Sequence, residues 1–122
     1  MTSKPRLLMI DDDDLTLRIF TIILSRIFDI TGCKMGDEFL DILSKNVFDI
    51  FLIDLSLKGE IDGIQLIKEL RKSEKYKNHP IVVVTAHAFK KDEETAMSAG
   101  ASKFLRKPIE NERLLQELRE YI

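Results

Sequence analysis

Five side chains capable of chemistry stand at the ends of four apolar runs. Asp11 and Asp12 follow "RLLMI" (6–10), Asp54 follows "VFDIFLI" (47–53), Thr85 follows "PIVVV" (80–84), and Lys107 follows "SKFL" (102–105) after an intervening Arg106. Clustered carboxylates repel one another unless a cation lies among them, and hard oxygen ligands that leave room for several waters suit Mg²⁺. An ammonium and a hydroxyl beside such a cation suit a dianionic phosphoryl group, one neutralising charge and the other donating a hydrogen bond. Together the five describe a phosphoryl site with a carboxylate nucleophile. Taken singly, each has a plainer role: a strand-end Asp caps helices and turns, Thr is a good strand former, and Lys extends to water. The run of four aspartates, Asp11 to Asp14, is open to three explanations: a solvated cap, a metal site, or a nucleophile.

The elements that must position these groups alternate in type. Besides the four runs above, "FDITGC" (28–33) is a weaker strand. Between the strands, apolar residues recur at helical spacing: Ile19, Phe20, Ile23, Leu24 and Ile27; Phe39, Leu40 and Leu43; Ile64, Ile67 and Leu70; and finally Leu114, Leu115 and Leu118. Another helix runs through Met97 to about Ala99, with Gly100 placed to close it. Five strands alternating with five helices predict a doubly wound parallel sheet, an α/β fold whose function lies at the carboxyl ends of its strands. The 122 residues suit one domain, 1–122, and 44% hydrophobic with 33% charged content is that of an ordinary globular chain. A net charge of -2 leaves no basic footprint, so direct nucleic acid binding is not expected. The single Cys33 excludes an internal disulfide framework and is expected to be a small buried residue in a reducing compartment. The apolar runs are too short to span a bilayer and no leader is visible, so the expected location is the cytoplasm, with no membrane partner.

With these elements in place, the chain resembles the receiver domains of two-component response regulators. The resemblance covers its whole length and rests on "MIDDDD", "FDIFLIDLSL…DG", "VVVTAHA" and "AGASKFLRKPI", which occur in that order. It implies the flavodoxin-like sheet order 2-1-3-4-5. Asp54 would be the phosphoacceptor, charged by a histidine kinase or phosphotransfer protein. Asp11, Asp12, Asp54 and the backbone carbonyl of Ser56 would hold Mg²⁺, with Asp12 the direct ligand and Asp11 acting through water. Thr85 and Lys107 would be the switch hydroxyl and the phosphate-binding lysine, Phe104 the switch aromatic, and Lys107–Pro108 a cis-proline step. Ser56 and His87, each two residues past a site residue, occupy positions that tune loss of the phosphoryl group. Asp13 and Asp14 are assigned to solvent and to the cap of the first helix. The chain would be a signalling domain whose only chemistry is self-catalysed phosphoryl transfer and slow autodephosphorylation, read by a downstream protein through the 91–122 face.

The sequence departs from the family pattern at Lys58, where proline is frequent, and in a loop one residue longer than usual before Asp62 and Gly63. The last helix ends the sequence with no linker, as a stand-alone receiver would, and as an excised one would too. Two other functions compete. "DDDLT" (12–16) also fits the D-x-D-x-T nucleophile motif of haloacid dehalogenase-like phosphatases, with Asp12 as nucleophile, Asp14 as acid/base, and Thr85 and Lys107 as further motifs. A degenerate receiver that only binds protein is the other.

Overall fold

Apolar runs of four or five residues are too short to form stable helices but long enough for strands, and each is followed by an amphipathic segment. The computed structural model describes residues 3–122. Among these residues strand and helix alternate as β1 (Arg6–Ile10), α1 (Asp14–Leu24), β2 (Asp29–Cys33), α2 (Gly36–Lys45), β3 (Ile50–Ile53), α3 (Gly63–Lys72), β4 (Ile81–Thr85), α4 (Lys90–Ala99), β5 (Lys103–Arg106) and α5 (Asn111–Arg119). The strands form one parallel sheet in the order β2-β1-β3-β4-β5, the order the resemblance implies. Among the described residues no helix is long and apolar enough to cross a membrane.

Helices cover both faces, so the central strands are apolar on both sides rather than alternating. Successive side chains still point to opposite faces. Leu8, Ile10, Phe51, Ile53, Ile81 and Val83 therefore join Phe39, Leu66, Ile67, Leu70 and Ala96 in one core. Leu7, Met9, Ile50, Leu52, Val82 and Val84 join Phe20, Ile23, Leu24, Leu114, Leu115 and Leu118 in the other.

Two elements are shorter than their apolar patterns. β3 begins at Ile50, not Val47. The Phe48 amide is taken by the Tyr76 hydroxyl at 3.2 Å and not by a neighbouring strand, while Asp49 still bonds Arg6, its amide donating to the Arg6 carbonyl and its carboxylate accepting from the Arg6 amide, both at 2.8 Å. α1 closes at Leu24, where the Ser25 hydroxyl turns back onto the Thr21 carbonyl. Ile27 keeps its place against the core from the following turn, which is why helical spacing appeared to continue. α4 ends where expected: Gly100, at φ 122°, adopts a backbone conformation that side chains disfavour. Cys33 is buried and the Lys107–Pro108 bond is cis.

Candidate functional site

The carboxyl ends of β1, β3, β4 and β5 meet on one rim of the sheet. β1 lies between β2 and β3, and its ladder to β3 continues past the strand ends, with the Asp54 amide donating to the Ile10 carbonyl at 3.1 Å. This register brings Asp54 beside Asp11. Their carboxylates and that of Asp12 each offer an oxygen, and the three oxygens lie within 4.8 Å of one another. Asp11 and Asp54 are buried, and Asp12 is half-buried.

Lys107 reaches this group from just past the end of β5, its Nζ donating to Asp11 Oδ2 at 2.7 Å and to Asp54 Oδ2 at 3.1 Å. The other oxygen of each carboxylate accepts a local amide, Asp13 N on Asp11 and Ser56 N on Asp54, at 3.0 and 3.1 Å. Asp12 has no basic partner among the described residues. Burial pushes the Asp11 carboxyl above the ordinary carboxylate value, against the pull of its bond from Lys107. Burial also works against the Lys107 charge, but the bonds and attraction to Asp11 and Asp54 outweigh it, and the ammonium holds its proton more firmly than an ordinary lysine. Two carboxylates about 4–5 Å apart repel by about 3–4 kcal/mol at an effective dielectric of about 20. One ammonium among three carboxylates leaves that repulsion only partly met. A donor set made wholly of hard carboxylate oxygens, underneutralised and within one ion's reach, fits a divalent cation that prefers oxygen.

The remaining aspartates have other partners. Asp13 is the N-cap of α1, accepting from Thr16 N at 3.0 Å and Thr16 Oγ1 at 2.6 Å, and these bonds hold its carboxyl below the ordinary value. Asp14, in the first turn of α1, pairs with Lys34. It stands outside the three-carboxylate group, away from the acid/base position a D-x-D-x-T phosphatase requires of it. Lys34 was absent from the inventory of strand ends. It directly follows β2, and the same strand-end criterion applied to that strand would have found it.

Thr85 is fully buried at the end of β4, and its Oγ1 accepts from the His87 amide at 3.1 Å. His87 is exposed, and Ser56 is half-buried, with its amide on Asp54. Phe104 is half-buried against the first core, under the Arg106 guanidinium carbon at 5.8 Å from the ring centroid. The structure thus gathers Asp11, Asp12, Asp54 and Lys107 in direct contact range, with Thr85 on the adjoining strand end and Phe104 and His87 further out.

Comparison with known proteins agrees with this layout. The chain is 28% identical over 116 residues to the polar-differentiation response regulator DivK of Brucella ovis, a match covering 94% of each. Its fold superposes on the chemotaxis protein CheY4 of Vibrio cholerae with a TM-score of 0.90 at 23% identity, covering 98% of this chain and 100% of that one. The receiver domain of sensor histidine kinase PA1611 from Pseudomonas aeruginosa, solved with a magnesium ion in its active site cleft, superposes with a TM-score of 0.87 at 23% identity, covering 98% of each chain. The family model for the response regulator receiver domain matches residues 7–119, from the first core residue of β1 to the last residue of α5. The chain belongs to the response regulator receiver domains of two-component signalling.

Proposed function

We propose that Asp54 accepts a phosphoryl group from the phosphohistidine of a histidine kinase or phosphotransfer protein, the partners this family meets. The observation that carries the assignment is the bridging Lys107, whose ammonium already touches both Asp54 and Asp11. A phosphoryl group arriving at Asp54 therefore meets a fixed positive charge and not bare carboxylates. In the transfer, an Asp54 carboxylate oxygen bonds to phosphorus while the bond from phosphorus to the donor imidazole nitrogen breaks, and the electron pair departs with the imidazole.

Mg²⁺ would be held by Asp11, Asp12, Asp54 and the Ser56 carbonyl, and when bound it supplies the positive charge that screens the phosphoryl oxygens from these carboxylates. The magnesium in the PA1611 receiver's cleft supports this choice of metal. Thr85 acts as the switch hydroxyl. Its oxygen presently accepts from the His87 amide, leaving its proton available to a phosphoryl oxygen. Ser56, two residues past Asp54, and His87, two past Thr85, tune how readily water reaches the acyl phosphate. Phe104 relays the change to α4, β5 and α5, the 91–122 face that a downstream protein reads. The chemistry is self-catalysed transfer and slow hydrolysis on the chain's own carboxylate, in the cytoplasm.

The test is intact-mass analysis after incubation with acetyl phosphate and Mg²⁺. One phosphoryl mass should appear, be lost in base, and be absent from Asp54→Asn. A label mapping to Asp12 would favour the phosphatase assignment. No label on a folded, Mg²⁺-saturated protein would favour a degenerate receiver.

A further inference from the structure

We propose that Arg106 is a positioning residue that holds the β4–α4 loop, and through it the start of α4, in the resting arrangement, so that phosphorylation of Asp54 works against this hold. The inference rests on the function proposed above and names a regulatory element of the same site. Arg106 stands directly opposite Thr85 in the β4–β5 ladder, one residue before Lys107. Its side chain turns toward the loop and away from the carboxylates. Arg106 Nε donates to the Ala88 carbonyl at 3.1 Å, and Nη2 to Glu93 Oε1 of α4 at 3.0 Å. The guanidinium carbon also lies 5.8 Å from the centroid of Phe104, two residues back on the same strand face.

Residues 86–89 are otherwise bonded only to the elements they join. The His87 amide donates to Thr85, and the Phe89 amide donates to Asp92 in the first turn of α4. Among the described residues, the Arg106–Ala88 bond is the one hydrogen bond fastening this loop to a third element. Arg106 therefore ties together three parts expected to move: the loop beyond the switch hydroxyl, the first turns of α4, and the aromatic ring. The ion pair contributes least, because the Arg106 and Glu93 side chains are 53% and 41% exposed and water screens them. The directed Nε bond and the ring contact carry the hold, and a lysine lacks the planar fork that makes both at once.

Linkage fixes the expected result. A contact that favours the resting state lowers affinity for anything that favours the switched state, and removing it raises that affinity by the factor by which the switched population rises. In unmodified Arg106→Ala, the amide resonances of residues 86–89 and of Phe104 should move part of the way along the line joining the wild-type free and beryllofluoride–Mg²⁺ positions. Beryllofluoride affinity should rise several-fold. Glu93→Gln should do little of either, and Arg106→Lys should resemble Arg106→Ala at Ala88. Resonances that stay in place, or that scatter off that line with affinity unchanged, would overturn the proposal, since a merely loosened loop does not move toward the activated position. Wild-type resonances at 86–89 and Phe104 that ignore beryllofluoride while Asp54 binds it would instead remove the switch reading and this inference with it.

Discussion

Asp54 owes its place to a glycine. Gly63 opens α3 against the backbone of Asp54, and a Cβ there would lie 2.5 Å from the Asp54 carbonyl oxygen and 2.9 Å from the Leu55 Cα. Backbone atoms cannot turn aside as a flexible side chain can, so Gly63→Ala must displace the Asp54–Leu55 segment or the helix. The expected outcome is a loss of about 1–3 kcal/mol, read by urea unfolding, together with slower labelling by acetyl phosphate. Labelling at the wild-type rate would show that the segment absorbs the displacement. The "DG" pair was visible in the sequence, but its spatial job was not, because nothing in the short stretch between Asp54 and Gly63 states that a helix start abuts a strand end. Cys33 shows the opposite case, a buried position legible from its strand context. Burial, aided by the nearby Glu38 charge, pushes its thiol up to about 12. It should stay unlabelled by thiol reagents in the folded protein and react at once in denaturant; rapid labelling under native conditions would contradict the packing described.

Helices α4 and α5 are tied to the rest by contacts that periodicity cannot announce. Arg71, in the last turn of α3, donates to the carbonyls of Gly100, Tyr76, Lys77 and His79, and to Ser102 Oγ. It thereby fastens the end of α4 to the α3–β4 connection. Arg71→Ala should cost about 1–2 kcal/mol by leaving part-buried carbonyls without their donor, and Arg71→Lys should recover little of it, as thermal unfolding would show. On the other face of the sheet, Lys103 of β5 donates to Glu117 of α5 and to Glu120 just past it at 2.5 and 2.6 Å. The Lys103 bond holds Glu117 below its ordinary value of 4.5, and the bonds to Glu117 and Glu120 raise Lys103 above its ordinary 10.5. A lowered acid contributes fully above its ordinary value and loses that contribution as pH falls through the lowered one. A raised base contributes fully below its ordinary value and loses it as pH rises through the raised one. The tie is whole between those limits. Lys103→Met should cost about 1 kcal/mol at neutral pH, given the exposure of Glu120, and less in acid, once the pH has fallen through the lowered Glu117 value and the carboxylate has taken up its proton. An equal loss at both pH values, measured by urea unfolding, would mean that packing rather than charge joins the two elements. The apolar stripe of α5 was readable from Leu114, Leu115 and Leu118, whereas its charged rim pairs with a strand that only the fold brings near.

For the molecule as a whole, the three carboxylates store repulsion that a bound divalent cation relieves. Mg²⁺ at roughly a hundredfold excess over its Kd should stabilise the fold by about 2.7 kcal/mol, on the order of 10 °C in Tm. Asp12→Ala should lose most of this gain and Asp14→Ala almost none, in paired calorimetric scans; an unchanged Tm for wild type would remove the metal assignment. Fold class and strand order were legible because five short apolar runs alternating with helical spacing leave few topologies open. The jobs of individual aspartates were less so, since register within four identical letters is decided by the cap at Thr16 and the ladder from Ile10, which are contacts between residues and leave no mark in the letters themselves. The odd–even sorting of strand side chains also has a mechanical meaning. The sheet is a partition, with α1 and α5 held on one side by one set of side chains and α2, α3 and α4 on the other by another. Either layer can detach while the opposite one stays docked. In native-state hydrogen exchange the helices should therefore fall into two groups with separate opening energies, while the amides of β1, β3 and β4, shielded from both sides, exchange only through complete unfolding. The acidic cleft lies on the seam where the two compartments meet, so an event there can loosen one layer and leave the other closed.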